Sequence, residues 1–400
     1  MFPPVKVLVV HNWYQQPGGE DQIFSDETAL LEARGHQVLR YSTHNNRVVD
    51  MNRLALAKNV LWNSSVYREL RTLIHWERPH VAHFQNTFPL VSPAGNYAAR
   101  AEGVPVIQTL HNYRLLCPNA QFFRDGRVCE DCLGKAVPWP GVVHKCYRGS
   151  RAASGSVAAM LTTHRALRTW AEQVDAYVAH TEFARKKYIE GGLPAEKIVV
   201  KPNFVCPDPR SGEGRGGYAL FVGRLSPEKG IVTLLAAWKR LGGRVPLKIV
   251  GDGPLADTVV KAANGSSGVE WLGYRSVAEV HALMKEASAL IFPSEWYETF
   301  GRVVAEAFAT GTPVIAANIG AAAELVEHGR TGLRFSPGDP EDLAAQVRWI
   351  LHHPVERLRM RSRVQAEFEA KYTAERNYRM LIEIYESTLG RTLGRKEVSV

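Results

Sequence analysis

Two glutamates in the segment PSEWYETFGRVVAEAFATGTPVIA lie eight residues apart and are candidates for binding or acid–base chemistry. Glu298 follows a run of aromatic residues, whereas Glu306 falls where Val303, Val304, Ala307 and Phe308 recur at the spacing of a helix core. This spacing predicts a helix over about 302–309. Two glutamates at this distance are also common on the polar face of an ordinary helix, so the spacing alone leaves both interpretations open.

The start of that predicted helix is a candidate anion site. The backbone N–H groups of Phe300, Gly301 and Arg302 lie there, and free donors at the positive end of a helix suit a phosphate. Carboxylates on either side accept hydrogen bonds from vicinal hydroxyl groups. The segment therefore offers, in order, groups for a sugar, a diphosphate and a ribose.

Two cations in FVGRLSPEKG are candidates for binding the diphosphate. Gly223 ends a predicted strand, and Arg224 and Lys229 follow across a turn. Arg binds an oxyanion through a bidentate fork and Lys acts as a point charge. Further along, Tyr274 and Arg275 in LGYRS are candidates to flank a nucleobase. The alternative for both sets is solvated side chains on ordinary loops.

The elements that position these loops read as two α/β domains. Short β-branched segments alternate with longer segments of helical spacing, which indicates parallel sheets with helical crossovers. The Pro- and Gly-rich segment KPNFVCPDPRSGEGRGGY breaks the series. We expect a domain over 1–205, a second over 206–373, and a helix and tail over 374–400. Two doubly wound, Rossmann-like domains facing across a cleft would bind ligands beyond the carboxyl ends of their strands.

The first predicted strand is followed by HNWYQQPGGEDQIF, which carries Gly18 and Gly19 before a predicted helix. Paired glycines allow backbone N–H groups to approach an oxyanion or a sugar closely. A flexible turn is the alternative.

Matched in order and spacing, FVGRLSPEKG, GDGP, the E-x7-E segment and GAAAELVEHGRTGLRF resemble the retaining GT-B glycosyltransferases of family four, group 1 type. The resemblance is strong over about 195–372 and weaker through GGED and TLHN. It implies that Glu306 holds the donor ribose, that Glu298 contacts the transferred sugar, and that Arg224 and Lys229 neutralise the diphosphate. It also implies transfer without a catalytic divalent metal, with the GT-B C-terminal helix crossing back to the N-terminal domain.

The same resemblance extends to the N-terminal half. His111 in VIQTLHNYR takes the place of a histidine that faces the transferred sugar, with His83 in HVAHFQN as the alternative and a structural role open for either. HNWYQQPGGEDQIF and HNYRLLCPNA look like bacterial enzymes that build surface polysaccharides or exopolysaccharides. The implied reaction is hexosyl transfer from a UDP- or GDP-sugar to a saccharide acceptor, often lipid-linked.

The charge distribution favours an anionic partner. Lys and Arg number 49 against 40 Asp and Glu, a net charge of +9, and 133–171 contain no acidic residue. This basic stretch would suit a lipid-diphosphate acceptor or an anionic bilayer surface, and solubilising charge is the alternative. No apolar run approaches the roughly 18 residues of a membrane span, and MFPPVKVLVVHNW lacks the features of a secretory signal. We expect a cytoplasmic protein, with peripheral association at the inner face of the membrane as an option.

Four of the five cysteines fall between Cys117 and Cys146, with Cys129 and Cys132 forming a C-x2-C pair. In a cytoplasmic protein this spacing predicts a structural zinc site with four thiolate ligands, within an insertion over about 113–150. An iron–sulfur cluster and free thiols are the alternatives.

Two other function classes fit less well. A GT-B enzyme that processes nucleotide sugars without transfer, such as an epimerase or a phosphorylase, shares the fold, but nothing marks the cofactor-binding lysine of a phosphorylase. A basic nucleic-acid-binding protein would agree with the net charge. The distinct motifs, however, lie on glycine loops suited to a diphosphate, and aromatic and basic residues do not interleave. We therefore expect no nucleic-acid partner.

Overall fold

The computed structural model describes residues 3–16, 18–265 and 268–397, with side chains as far as Arg391. It divides into two compact units. The N-terminal unit comprises Met1–Phe122, Glu130–Lys201 and Tyr378–Val400, and the C-terminal unit comprises Phe123–Cys129 and Pro202–Asn377. The last three residues of the predicted C-terminal tail lie outside the described residues.

The strands are β1 (Lys6–Trp13), β2 (Gln37–His44), β3 (Val81–Phe84), β4 (Val106–Thr109), β5 (Phe123–Arg124), β6 (Arg127–Val128), β7 (Ala176–Ala179), β8 (Ile198–Val200), β9 (Ala219–Val222), β10 (Leu247–Val250), β11 (Val269–Gly273), β12 (Ala289–Phe292), β13 (Val314–Ala317) and β14 (Gly332–Phe335).

The α-helices are α1 (Gly19–Ala33), α2 (Arg53–Leu61), α3 (Ser64–Glu77), α4 (Ala94–Ala101), α5 (Trp139–Val143), α6 (Arg151–Ala166), α7 (Thr169–Glu172), α8 (Glu182–Glu190), α9 (Ile231–Leu241), α10 (Ala256–Gly265), α11 (Val277–Glu286), α12 (Arg302–Ala309), α13 (Gly320–Leu325), α14 (Pro340–His352), α15 (Pro354–Lys371) and α16 (Ala374–Glu397). Short 3-10 helices cover Asn45–Val48, Tyr113–Leu115, Ala195–Lys197 and Pro227–Lys229.

The N-terminal unit is built on a six-stranded parallel sheet in the order β2-β1-β3-β4-β7-β8. β1 lies inside the sheet, with Val7 paired to Val38 on one side and to Val81 on the other. The inner strands are buried, as expected where helices cover a parallel sheet, and they carry buried polar residues such as His83 and Gln108 among the apolar ones. The strand order reverses between β1 and β3, so ligands are expected at the carboxyl ends of these strands.

The C-terminal unit is built on a second six-stranded parallel sheet, in the order β11-β10-β9-β12-β13-β14. This is the order of a dinucleotide-binding fold, and it reverses between β9 and β12, where Leu220 pairs with Leu290. Both residues are fully buried in the core of the unit. The predicted α/β class and the two Rossmann-like domains are therefore confirmed.

The C-terminal helix α16 joins the N-terminal unit from Tyr378 onward. The hydroxyl of Tyr378 lies 2.8 Å from Nε2 of His36, and that of Tyr385 lies 2.9 Å from Nδ1 of His83. Helix α16 thus returns to the unit that contains β1, as predicted. Among the described helices, none is both long enough and apolar enough to cross a lipid bilayer.

Candidate active site

The loops after β9 and β12 meet at the point where the strand order of the C-terminal unit reverses. Gly230 ends the turn Pro227–Lys229 with a φ of 69°. A Cβ atom there would lie 2.0 Å from the carbonyl oxygen of Pro293, directly after β12. Only glycine permits this approach. The close contact holds the β9 loop, which carries Lys229, against the loop that carries Glu298.

Lys229 and Glu298 form an ion pair in this position. Nζ of Lys229 lies 2.5 Å from Oε1 of Glu298, and the Ser294 hydroxyl donates to the same oxygen at 2.9 Å. The ammonium group also lies 5.3 Å from the ring centroid of Trp296. Glu298 is buried, whereas a fifth to a quarter of the Lys229 side chain (23%) is exposed. The ammonium group is therefore the more accessible member of the pair.

Helix α12 begins beside this pair, with the predicted bounds. Its N-cap, Gly301, has a φ of 93°, and a Cβ atom there would lie 2.9 Å from the Phe292 ring. Phe300, directly before this N-cap, is buried and packs edge-on against Tyr372, which anchors the start of the helix. Nε of Arg302 donates to Oε1 of Glu306 on the next turn at 2.9 Å, and both side chains are only 13% exposed.

Two polar groups near this helix were not among the predicted site residues. The indole N–H of Trp296 and Nε2 of His281 are buried and have no hydrogen-bond partner among the described residues. Burial lowers the pKa of His281, although the nearby carboxylate of Glu306 acts in the opposite direction. Unsatisfied buried donors are costly in a protein interior. Trp296 and His281 are thus buried polar residues close to the predicted site that were not predicted from the sequence.

The other predicted donor-binding residues lie on the loops after β9 and β11. Arg224 is exposed on the loop directly after β9 and Gly223. Tyr274, 80% exposed, and Arg275 follow the edge strand β11, and the Arg275 guanidinium donates to the Tyr274 carbonyl at 3.0 Å. β11 is two strands from β9, or about 10 Å at the ordinary strand spacing. The structure therefore groups Lys229 with Glu298 but keeps Tyr274 and Arg275 apart from them.

In the N-terminal unit, His111 belongs to a closed ring of buried polar groups. Its Nε2 lies 2.6 Å from Oε1 of Gln85, and its Nδ1 lies 3.2 Å from Nε2 of His180. Nε2 of Gln85 donates to Glu27 at 2.7 Å, and Glu27 forms an ion pair with Lys201. The carbonyl oxygen of Lys201 lies 3.1 Å from Nδ1 of His180, which closes the ring.

The hydrogen bonds of this ring fix the tautomer of His111. The Glu27 carboxylate accepts only, so the amide nitrogen of Gln85 faces Glu27 and its oxygen faces His111. Nε2 of His111 therefore carries the proton. Burial and the neighbouring His180 hold the pKa of His111 well below its ordinary value, so the imidazole is neutral at pH 7. Nε2 of His111 donates to Gln85, and its unprotonated Nδ1 faces Nε2 of His180, so a sugar that bonds His111 must take the place of one of these two neighbours.

His83, the alternative to His111, lies in the core. Its Nδ1 contacts the Tyr385 hydroxyl and its Nε2 lies 2.7 Å from the Thr109 hydroxyl. Burial lowers the pKa of His83 to about 4. These contacts favour a structural role.

The paired glycines lie at the start of α1. The Gly18 N–H donates to Oδ2 of Asp21 at 2.8 Å, which caps the helix, and the other oxygen of Asp21 lies 2.8 Å from Nε2 of His11. Gly18 thus uses its N–H within the helix cap, and Gly19 is exposed in the first turn.

The next residue, Glu20, lies in a more polar setting than the glycines. The Tyr14 hydroxyl and the Asn112 amide each donate to it at 2.9 Å. Burial raises the pKa of Glu20, and the two hydrogen bonds reduce this effect. Asn112 directly follows His111, so Glu20 and His111 lie on neighbouring loops of the same sheet edge.

The cysteine prediction finds no support in the geometry. Cys117 and Cys132 are buried, while Cys129 and Cys146 are partly exposed. Over residues 3–16, 18–265 and 268–397, no group of three or more His, Cys, Asp or Glu side chains is placed so that it could hold a metal ion. The thiolate spacing of C-x2-C is shared by structural zinc sites and by cysteines that bind no metal, so spacing could not separate the two.

Comparison with known families decides the assignment. The family model for glycosyl transferases group 1 matches residues 211–367, and the model for Glycosyltransferase Family 4 matches residues 18–208. The chain is a group 1 glycosyltransferase of family 4. The predicted family and the glycosyltransferase activity are confirmed. The matches run through both sheets and include every residue described above at the carboxyl edge of the C-terminal sheet.

Relatives of this glycosyltransferase act on several saccharides. The glycogen synthase of Mycobacterium tuberculosis is 28% identical over 332 residues, which is 77% of this chain and 78% of the relative. The lipopolysaccharide 1,2-N-acetylglucosaminetransferase of Salmonella typhimurium is 28% identical over 223 residues, covering 49% of this chain and 58% of the relative.

Solved structures share the fold. HepE of Anabaena, solved in complex with UDP and glucose, matches 96% of this glycosyltransferase and all of its own chain (100%), with a TM-score of 0.69 and 19% identity. Sucrose-phosphate synthase of Thermosynechococcus elongatus matches 97% and 100% of the two chains, with a TM-score of 0.72 and 15% identity. These likenesses identify the architecture as GT-B.

Proposed function

We propose that this glycosyltransferase transfers a hexosyl group from a UDP-sugar to a saccharide acceptor with retention of anomeric configuration and without a catalytic metal ion. The observation that carries the proposal is the Lys229–Glu298 pair beside the start of α12, where the strand order of the C-terminal sheet reverses. Ligands of open α/β sheets bind at such points. A cation beside the positive end of a helix suits the diphosphate of a nucleotide sugar.

Each residue of this site then has a distinct task. Lys229, Arg224 and the first N–H groups of α12 stabilise the negative charge that develops on the leaving diphosphate. Glu298 positions the hydroxyl groups of the transferred sugar. Glu306, on the second turn of α12, accepts hydrogen bonds from the donor ribose. In the N-terminal unit, His111 contacts the transferred sugar once it exchanges a ring partner.

A UDP-sugar is the donor that the comparisons favour over a GDP-sugar. HepE, which shares the fold over 96% of this chain, has been solved with UDP and with UDP-glucose. Both nucleotides fit the same carboxylate and cation set, so the choice depends on contacts with the base. Tyr274, exposed after β11, is the proposed stacking partner for that base.

The proposed acceptor is a lipid-linked saccharide in polysaccharide biosynthesis. The Salmonella relative acts in lipopolysaccharide assembly by its name, which supports this class. Around α5, the exposed side chains of Trp139, Lys135, Lys145 and Arg148 form a basic and partly apolar surface. Such a surface suits the anionic inner face of a membrane, where a lipid-linked acceptor resides.

Thermal shift assays with UDP-, GDP- and ADP-sugars test the donor. We expect stabilisation by UDP-sugars, loss of that stabilisation in Glu306→Gln, and wild-type behaviour in the control Glu383→Gln, which alters an exposed glutamate of α16. Stabilisation by none of the three classes contradicts the proposal. The anomeric proton coupling of the product, read by NMR, tests retention, and an inverted product contradicts it. Epimerised donor without acceptor would instead favour an epimerase.

A further inference from the structure

A polar cavity of about 340 Å³ opens in the N-terminal unit where β2 ends. Its walls come from the end of β2, the following 3-10 turn, α2 and the start of α3. Hydroxyl, amide and charged side chains dominate the lining, with few apolar residues. The polar and charged wall residues are Tyr41, Thr43, Arg47, Lys58, Asn59, Asn63, Ser64, Ser65 and Glu69. None of these is among the residues assigned above to the donor or to His111.

The walls carry two cations and one carboxylate. Arg47 and Lys58, both exposed, enter the cavity from the 3-10 turn and from α2. Glu69 accepts hydrogen bonds from the hydroxyls of Tyr41 and Ser65, each at 2.7 Å. These two bonds and the charge of Arg47 lower the pKa of Glu69, which is therefore ionised at pH 7. Two positive charges and one negative charge leave the cavity with an excess of one positive charge.

The frame of the cavity is fixed by Asn63. Its side-chain oxygen accepts from the N–H groups of Ser65 and Val66 at 3.2 and 3.3 Å, which caps α3. Its side-chain amide donates to the Leu90 carbonyl at 2.7 Å, and its own N–H donates to the Ser92 hydroxyl at 3.0 Å. The Ser65 and Val66 N–H groups at the start of α3 thus already donate to Asn63, so an anion in this cavity would be bound by the side chains of Arg47 and Lys58.

Apolar surface lies next to the cations. Val49 and Leu54, which lie in the chain between Arg47 and Lys58, are 73% and 81% exposed. Leu54 lies in the first turn of α2 and does not pack in the protein interior, so its side chain adds little to the stability of the fold. The combination of a cationic, hydroxyl-rich cavity and neighbouring exposed aliphatic groups matches an amphiphile with an anionic, hydroxylated head.

We propose that this cavity binds the sugar-phosphate or sugar-diphosphate head of the acceptor. Arg47 and Lys58 hold the phosphate oxygens. Glu69, Asn59 and Ser64 hold sugar hydroxyls, because a carboxylate with two lone-pair sites still open accepts from hydroxyl groups. The inference rests on the proposed glycosyl transfer, and it specifies that the acceptor is anionic.

The place of the cavity in the fold supports this role. Tyr41 and Thr43 lie at the carboxyl end of β2, and β2 pairs with β1 along its whole length. His111 follows β4 at the same edge of the sheet. A head group in the cavity and a sugar at His111 therefore lie along one sheet edge of the N-terminal unit.

Isothermal titration with the full-length protein saturated with UDP tests the proposal, because UDP fills the donor diphosphate site. Inorganic pyrophosphate is the head-group probe and farnesyl diphosphate is the amphiphilic probe. We expect each of Arg47→Ala and Lys58→Ala to weaken pyrophosphate binding about tenfold and the double variant about a hundredfold, since each lost bond to a charged group is worth roughly a factor of ten. The matched control Arg53→Ala removes an exposed cation of α2 that does not line the cavity, and should bind pyrophosphate as wild type does.

Farnesyl diphosphate distinguishes the two sources of the anion. Tighter binding of farnesyl diphosphate than of pyrophosphate, reduced by Leu54→Ser, supports a lipid-linked acceptor, and equal binding supports a soluble sugar phosphate. Wild-type affinity for pyrophosphate in the double variant, or an equal loss in Arg53→Ala, overturns the proposal. Failure of UDP to bind the wild-type protein refutes the donor assignment instead. In that case the same pyrophosphate titration without UDP still measures how much Arg47 and Lys58 contribute to the affinity of the cavity.

Discussion

The buried histidines of the N-terminal unit predict a specific loss of stability in mild acid. Burial lowers the pKa values of His83 and His180 to about 4. In the unfolded chain these side chains titrate near 6.5. Between these values the unfolded state binds protons that the folded state does not, so the free energy of unfolding falls as the pH falls. The contribution is fully present above about pH 6.5 and is lost progressively toward pH 4.

The magnitude follows from the gap between the two pKa values. Each histidine costs about 1.4 kcal/mol per pH unit below 6.5, which amounts to about 2 kcal/mol at pH 5 and about 3 kcal/mol at pH 4. His83 and His180 together therefore remove about 4 kcal/mol between neutral pH and pH 5. His111, whose pKa is lowered by the same burial, adds to this loss.

The carboxylates around these histidines titrate outside this window or act in the other direction. Burial raises the pKa of Glu27, but Lys201, His83 and two hydrogen bonds outweigh it, and the net pKa lies below its ordinary value. Glu27 thus stays ionised and contributes a loss only at lower pH. Glu20 has a raised pKa, so its protonation favours the folded state as the pH falls and offsets part of the loss near the acidic end.

Urea unfolding followed by circular dichroism, at a series of values from about pH 8 to about pH 5, measures the effect. The slope of the unfolding free energy against pH is the readout, because it does not depend on how much a variant is destabilised overall. His83→Gln should reduce the loss over this range by about 2 kcal/mol. His144→Gln, which alters an exposed histidine, should leave the slope unchanged. A wild-type slope in His83→Gln would refute the reasoning.

Three further predictions concern the ring and the donor site. Glu27→Gln leaves the buried Lys201 ammonium without its counter-charge, so it should lower the free energy of unfolding by about 3–5 kcal/mol. In urea unfolding, the double variant with Lys201→Met should recover part of this loss. Additive losses of the two substitutions would contradict the pairing. Gly230→Ala places a Cβ atom 2.0 Å from the Pro293 carbonyl oxygen, so it should separate the two loops and weaken UDP binding in calorimetry. An unchanged affinity for UDP would contradict this role of Gly230. Glu298→Gln should lower kcat by about a hundredfold with UDP affinity retained, as expected for lost positioning, and an unchanged kcat would contradict that role.

The C-terminal unit could be predicted well from the sequence because its signals are local. The apolar spacing of Val304, Ala307 and Phe308 gave the bounds of α12, and glycine turns marked the ends of the strands. What the residues alone could not give was the pairing of Lys229 with Glu298. These side chains are 69 residues apart, and their contact depends on which strands are neighbours in the sheet.

The N-terminal unit shows a different limit. Glu27 and Lys201 are 174 residues apart, and each has the sequence context of an ordinary helix or loop residue. Only the fold reveals that both are buried and that they fix the orientation of Gln85 and the tautomer of His111. Charged residues are almost never fully buried without a partner, so the residue types alone would not have predicted that Glu27 and Lys201 lie in the core.

The contacts of Glu298 also bear on how a glycosyltransferase of this kind would achieve retention. A nucleophilic carboxylate needs an oxygen free to approach the anomeric carbon at about 3–3.5 Å. Of the two oxygens of Glu298, Oε1 accepts from Lys229 at 2.5 Å and from Ser294 at 2.9 Å, and both donors withdraw electron density from the carboxylate. A diphosphate that binds Lys229 would compete for that ammonium group while still holding it close to Glu298. This geometry favours Glu298 as the group that orients the sugar, coupled to the diphosphate through a shared lysine, over Glu298 as the attacking nucleophile.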